Sequence, residues 1–117
     1  MSAPRIPTHI TVSALLRRVN DAGGMAVVLA RGDADAGAVL MLASERGQGV
    51  RALERGVDAS GRQTLIVTGI VGDSAAADTR ATTEYWQRRR ATDPDLWVIE
   101  LDIAHVERFA AQILGFD

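Results

Sequence analysis

The sequence contains no cysteine and no lysine. Without cysteine there is no disulfide framework and no thiolate chemistry, and the chain suits a reducing compartment. Without lysine, Schiff-base catalysis and the lysine of a phosphate-binding P-loop are excluded. All thirteen basic residues are arginine. With alanine and glycine also abundant, this reads as a bias of base composition rather than as function. An excess of charge is missing too: a formal charge of −2 gives no general attraction to nucleic acid or anionic lipid. No stretch nears the roughly 18 consecutive apolar residues of a membrane span. Residues Met1 to Thr8 carry Pro4 and Pro7 and lack the basic-then-apolar order of a secretory signal, so they are expected to form a frayed lead-in. The expectation is a cytoplasmic protein with no membrane contact.

What is present is ordinary globular composition, 47% apolar and 24% charged over 117 residues, a length that suits one domain spanning 1–117. A helix is expected near Ser13 to Ala22, where Val12, Leu15, Leu16, Val19 and Ala22 recur at helical spacing. Ser13 or Thr11 would cap its start and Gly23 its end. The apolar runs Met25 to Ala30 and Ala38 to Ala43 suit strands covered on both faces. The intervening Gly32 to Gly37 is expected to close them into an antiparallel hairpin. Val50 to Val57, broken by charges, reads as an edge strand. Thr64 to Val71 is a further strand with Gly69 as a bulge.

Gly72 to Asp78 reads as a loop or a loose helix start. A helix then runs to about Arg90 with Ala81, Tyr85 and Trp86 as its apolar contacts, and Asp93-Pro94 ends it. Leu96 to Leu101 is the fifth strand, with Trp97, Ile99 and Leu101 on one face. Asp102 is expected to cap a last helix whose buried stripe is Ile103, Val106, Phe109, Ala110, Ile113 and Leu114, stopped by Gly115-Phe116 in a Schellman turn. The order α-β-β-β-β-α-β-α implies an α+β fold, a mainly antiparallel sheet of about five strands with helices packed on one face.

Three stretches carry a resemblance: Val12-Ser-Ala-Leu-Leu-Arg-Arg18, Arg31-Gly-Asp-Ala-Asp-Ala-Gly-Ala-Val-Leu40 and Asp93-Pro-Asp-Leu-Trp-Val-Ile-Glu100. In this order and spacing the chain resembles a family of short bacterial proteins, the domain of unknown function numbered fourteen-ninety-one. The resemblance covers Val12 to Ser44 and Trp86 to Leu101. The middle, Glu45 to Thr83, does not obviously follow the pattern, and the last helix reads as particular to this member. The resemblance implies no reaction, substrate or catalytic residue.

The chemical candidates are few. Asp33 and Asp35 in the first loop, with Asp93 and Asp95 before the fifth strand, are hard oxygen donors of the kind that hold Mg²⁺ or Ca²⁺. Aspartates in such positions also turn the chain by accepting from their own backbone, and that reading is the stronger. The Asp33-x-Asp35-x-Gly37 spacing is half an EF-hand loop and lacks the third acidic position and the distal Glu. Arg88, Arg89 and Arg90, near Tyr85 and Trp86, offer phosphate contacts and base stacking. Against this, cations at a helix C-terminus complement the dipole and the aromatics serve the core. Arg17 and Arg18 enlarge the patch only if their helix lies beside that of Arg88 to Arg90.

His9 and His105 are the only histidines, and His105 reads as a surface residue of the last helix. No serine among Ser13, Ser44, Ser60 and Ser74 sits in a Gly-x-Ser-x-Gly context to pair with it. Gly47-Gln-Gly49 does not extend to a phosphate-binding fingerprint, and Arg31-Gly-Asp33 as an adhesion signal is chance.

The leading expectation is therefore a non-enzymatic cytoplasmic binding or assembly module, acting through a protein partner or as a homodimer, with no cofactor. The alternatives are a small metal-dependent enzyme acting on a phosphorylated substrate through the two Asp pairs, and an RNA-binding domain using the Arg cluster. The metal reading has a direct test. Millimolar Mg²⁺ or Ca²⁺ is expected to leave thermal unfolding unchanged; a rise in Tm that is lost in Asp33→Asn/Asp95→Asn would mark a metal site.

Overall fold

Leu96, Val98 and the alternating set Trp97, Ile99 and Leu101 are all at most 2% exposed, so the fifth strand buries both of its faces. A strand that is apolar on both sides belongs in the middle of a sheet, and there it lies. The computed structural model describes residues 6–74 and 79–116. In chain order the elements are α1 (Thr8–Asp21), β1 (Met25–Ala30), β2 (Val39–Glu45), β3 (Gln48–Val57), β4 (Gln63–Ser74), α2 (Thr79–Thr92), β5 (Trp97–Asp102) and α3 (Val106–Leu114). One sheet has the order β1-β5-β2-β3-β4. The β2–β5 pair is parallel and the others are antiparallel, which makes the fold α+β with a mainly antiparallel sheet.

The expected β1–β2 hairpin does not form, because β5 lies between the two strands. Ala30 pairs with Val98, and Val39 pairs with Trp97. Residues 31–38 therefore cross over the start of β5 instead of turning tightly, spanning two strand spacings of about 4.8 Å each. Like β5, β2 is buried on both faces, from Leu40 to Ser44. By contrast, β1 is a half-exposed edge, so its continuous apolar run does not signify double coverage. Nor is Val50 to Val57 an edge. It forms most of β3, an interior strand that buries Val50, Ala52 and Leu53. Two of its charges are matched across the sheet surfaces: Arg51 donates to Glu45 and to Glu107 of α3, and Glu54 accepts from Arg89 of α2.

The helices do not share one face. Val12, Leu15 and Val19 of α1 and Val106 and Ala110 of α3 pack on Met41, Leu53, Trp97, Ile99 and Leu101. Tyr85 and Trp86 of α2 cover Leu40, Leu42, Ala52, Leu96 and Val98 on the opposite side. Two layers of helix thus sandwich the parallel centre. This follows from the connection β4–α2–β5, which leaves an edge strand and returns to the middle of the sheet.

Local signals fare unevenly. Helix α1 begins at Thr8, earlier than its apolar stripe, and Thr8 is buried. The expected lead-in therefore ends before Thr8; residues 1–5 lie outside the described residues, as does the part of the expected 72–78 loop at 75–78. Residues 72–74 continue β4. The β3–β4 register shifts between Ala52 and Leu53, next to the Ala52–Gly69 pair, as a bulge near Gly69 requires. Helix α3 ends as expected, with Gly115 left-handed at φ 84° and the Phe116 N–H donating to Ala111 O at 2.7 Å. Asp102 does not cap α3. It ends β5, and its carboxylate accepts the Arg46 and Gly47 N–H groups of the β2–β3 turn at 2.7 and 2.8 Å. Arg46 turns there at φ 54°, a left-handed conformation that those two bonds hold in place. The N-cap of α3 is His105, also left-handed.

Trp97 is the test of this core. Its ring is buried, and its indole N–H donates to Asp33 O at 2.7 Å. Trp97→Ala is expected to cost ~3–5 kcal/mol in denaturant melts. Trp97→Phe keeps most of the packing but removes the indole donor from the Asp33 carbonyl, leaving it only the longer bond from the Gly37 N–H, and should cost about 1–2 kcal/mol. A loss well under 1 kcal/mol for the alanine variant would mean that the ring is not part of the core.

Candidate functional site

The two aspartate loops meet at one end of the sheet, but through their backbones. The Asp33 N–H donates to Asp95 O at 3.0 Å, and the Trp97 N–H donates to Ala38 O at 2.9 Å. Gly32 and Gly37 both lie so close to Asp95 O that a Cβ on either would run into it, so the contact needs glycine on each side. The carboxylates of Asp33 and Asp93 turn away into their own loops. Asp33 Oδ2 accepts the N–H groups of Asp35 and Ala36 at 3.2 and 2.8 Å, and Asp93 Oδ1 accepts that of Asp95 at 3.2 Å. Among the described residues no three His, Asp or Glu side chains are grouped as a cation would require.

The same loop anchors α1. The carbonyls of Asp35 and Ala34 accept the Thr8 and His9 N–H groups, which have no partner within the helix. The Thr8 hydroxyl donates to Gly37 O at 2.7 Å, and His9 Nδ1 lies 3.0 Å from Ala34 O.

Of the arginine cluster, two members are committed to the fold. Arg89 grips the Glu54 carboxylate with both terminal nitrogens at 2.6 and 2.8 Å and also donates to the Tyr85 hydroxyl. These bonds, that to Glu54 foremost, raise the pKa of Arg89. Arg90 donates to the carbonyls of Arg31, Pro94 and Leu96, each at 3.0 Å, and so ties α2 to both loops. Arg88 is exposed. Arg17 and Arg18 lie on α1, across the sheet from α2, so the two arginine groups form no common patch. Ser44 and His105 are likewise apart. Ser44 opens toward α2 whereas His105 caps α3 on the other face, and Ser60 donates to Asp58 within a turn. The Ser74 side chain lies outside the described ones.

A surface that none of these motifs announced lies between α2 and β1. Met25, Val27 and Leu29 are 49%, 37% and 36% exposed. Val27 pairs with Glu100, and Met25 with Asp102, so these side chains share the α2 side of the sheet. The stripe runs into a groove of about 170 Å³ lined by Leu29, Leu42, Trp86, Thr82, Ser44 and Glu100. Thr82 Oγ1 is buried there without a hydrogen-bond partner among the described residues. Glu100 makes no ion pair among the described residues. One signal of this site was legible: a glutamate on the inner face of an otherwise apolar strand, Trp97-Val-Ile-Glu-Leu101.

The edge of β1 is partly guarded. The Ala26 N–H points away from β5 and donates to Asn20 Oδ1 at 3.2 Å. Alternation along the strand then turns the N–H and C=O of Val28 to the same outer edge. A register shift between Val28 and Ala30 bends the strand beyond that point.

Comparison with known proteins places this architecture. The family model "Protein of unknown function (DUF1491)" matches residues 6–111, which includes the middle segment and most of α3 as well as the stretches that carry the resemblance. The chain is similar to the crystal structure of a DUF1491 family protein from Caulobacter crescentus CB15, with 31% identity and a TM-score of 0.67, covering 90% of this chain and 94% of that one. It is similar to an NMR structure of a DUF1491 family protein from the same organism, with 29% identity and a TM-score of 0.70 over 92% and 94%. A solution structure of a protein from A. tumefaciens shares 25% identity with a TM-score of 0.63 over 85% and 86%. Among curated proteins nothing matches.

The Arg89–Glu54 pair makes a prediction of its own. Burial disfavours the Glu54 carboxylate, but the bonds from Arg89 and Thr68 outweigh it and hold its pKa below the ordinary 4.5. A lowered carboxyl pKa stabilises the fold above the unfolded value, and that contribution is lost as pH falls through the folded value. Arg89→Met should cost about 1–3 kcal/mol near neutral pH. Arg89→Met/Glu54→Leu should recover most of the loss. Chemical denaturation from pH 7 down to about 3 should show the wild-type advantage over Arg89→Met shrinking below the ordinary carboxylate range.

Proposed function

The chain belongs to the DUF1491 family of proteins of unknown function, and we propose that it is a non-enzymatic, cytoplasmic protein-docking module. Its occupant is an extended segment of a partner protein, apolar with one basic side chain, laid along β1 and anchored in the groove under α2. The observation that carries this reading is Glu100. A carboxylate without a cation among the described residues, at the wall of an apolar groove, complements a guanidinium or ammonium group. Thr82 Oγ1 supplies a second unmet polar atom, and leaving such a buried group unbonded costs about 1–3 kcal/mol. The exposed Met25–Leu29 stripe gives apolar contact on the approach. The outward N–H and C=O of Val28 give main-chain pairing of the kind by which a strand adds to a sheet edge. The Asn20 bond and the register shift keep that pairing short, so side chains rather than a long ladder supply the selectivity.

No helix among the described residues is long and apolar enough to cross a membrane. The absence of cysteine supports a reducing compartment for the encounter.

The reading is tested with three synthetic peptides of alternating valine and threonine that carry a central arginine, glutamate or citrulline. Titration is followed by amide and indole chemical shifts. The arginine peptide is expected to bind and to move the signals of Trp86, Val27 and Val28. Glu100→Gln should weaken it by tenfold or more, as loss of a charge-assisted hydrogen bond implies, and Leu29→Asp should do the same by spoiling the apolar approach. Equal binding of the three peptides, or shifts confined to the α1 side, would overturn the proposal. Concentration-dependent dimerisation that Leu29→Asp abolishes would replace the partner segment with a second copy of the chain.

A further inference from the structure

A second concavity lies on the opposite side of the sheet and is independent of the docking groove. Between α1, the end of α3 and the crossing loop there is a cavity of about 200 Å³. Its walls include Leu15, Val39, Met41, Leu114 and Thr11, with Arg55 among the lining residues. Leu15 and Met41, buried members of the main core, form its floor. Cavities of this order, with a mixed polar and apolar lining, accept small organic molecules of about six to ten heavy atoms.

The polar groups at its rim are not equivalent. Glu54 also lines the cavity, but its carboxylate is turned to the α2 side of the sheet, where two hydrogen bonds from Arg89 neutralise it. The Thr8 hydroxyl is spent on Gly37 O. Arg55 has no ion pair and no side-chain hydrogen bond among the described residues. Its guanidinium stands over the Phe116 ring at 5.6 Å. Stacking of this kind uses the face of the guanidinium and leaves its N–H edge, the fork that fits a carboxylate, free to donate.

From this combination we infer that the cavity is a binding site for a small apolar carboxylate, its hydrocarbon part against Leu15, Val39, Met41 and Leu114 and its carboxylate on Arg55. Binding there would bridge α1, β2, β3 and the crossing loop, which includes the lining residues Ala36 and Gly37. The ligand would therefore stabilise the fold by linkage, because the unfolded chain has no such site.

The experiment uses the full chain and four probes of matched size: hexanoate, benzoate, hexanol and hexylamine. Each is titrated to about 10 mM, the weak end expected for ligands this small, with methyl and amide chemical shifts and thermal unfolding as readouts. Hexanoate or benzoate should saturate, shift the Leu15, Met41 and Leu114 methyl signals, and raise Tm. Hexanol should bind more weakly and hexylamine not at all. Arg55→Gln should weaken carboxylate binding tenfold or more and leave hexanol binding unchanged. Thr11→Leu, which fills the cavity from a helix position that accepts leucine, should abolish all binding while the amide dispersion of the folded chain persists. No saturable shift with either carboxylate, or equal affinity for hexanoate and hexanol, overturns the inference. So does retention of hexanoate binding by Arg55→Gln. Peptide binding at the Glu100 groove has no bearing on these outcomes.

Discussion

A single crossing holds the molecule together: the 31–38 loop passes over the start of β5 and is pinned there by the Trp97 indole N–H to Asp33 O. Around that bond the chain has few alternatives. The Asp33 N–H is taken by Asp95 O, the Trp97 N–H by Ala38 O, and the first N–H groups of α1 by Asp35 O and Ala34 O. The Arg31 guanidinium lies over the Trp97 ring at 5.3 Å, and Arg90 reaches from α2 to the Arg31 carbonyl. Buried backbone groups must be paired, and here two loops, a helix start and a strand start pair one another. The stretches that carry the family resemblance are in large part those that meet at this place, so their residue types answer first to architecture.

The parallel β2–β5 centre follows from the same crossing. Once β5 lies between β1 and β2, both central strands are covered on two sides, and helices are needed above and below. Apolar packing supplies most of the attraction, while charged groups set the alignment of the layers. Arg89 joins α2 to Glu54 of β3, and Arg51 of β3 joins Glu107 of α3 on the other face. Successive charged residues of one strand thus reach to opposite sides of the sheet. For that reason a strand broken by charges is interior here.

With the loops and most of the arginine cluster engaged in the fold, three groups that lack a partner among the described residues line two separate concavities. Glu100 and the Thr82 hydroxyl face the groove between α2 and β1, and Arg55 stands at the cavity between α1 and α3. Their charges are opposite and they lie on opposite sides of the sheet. The seats proposed for a basic protein segment and for a small organic anion are therefore distinct, with the β2–β5 pair between them.

The sequence by itself determined the element order, the α+β class, the shared face of Trp97, Ile99 and Leu101, and the glycine stop at Gly115. Each depends on near neighbours: periodicity, turn-forming residues and local backbone freedom. It also carried the turn-forming role of Asp33 and Asp93, since that bonding spans only two or three residues. Tertiary structure alone decided that β5 enters between β1 and β2, because the run Met25–Ala30 has the same apolar composition whether it is central or at an edge. It alone decided that α2 crosses to the other face, since an amphipathic helix does not specify which side of a sheet it covers. The distant partners of Arg89, Arg90 and Asp102 (Glu54, the Arg31 carbonyl and the Arg46 N–H) were invisible for the same reason: they lie 35, 59 and 56 residues away. The isolation of Glu100 and Arg55 was equally beyond the sequence, because whether a charge is matched depends on what the folded chain brings beside it.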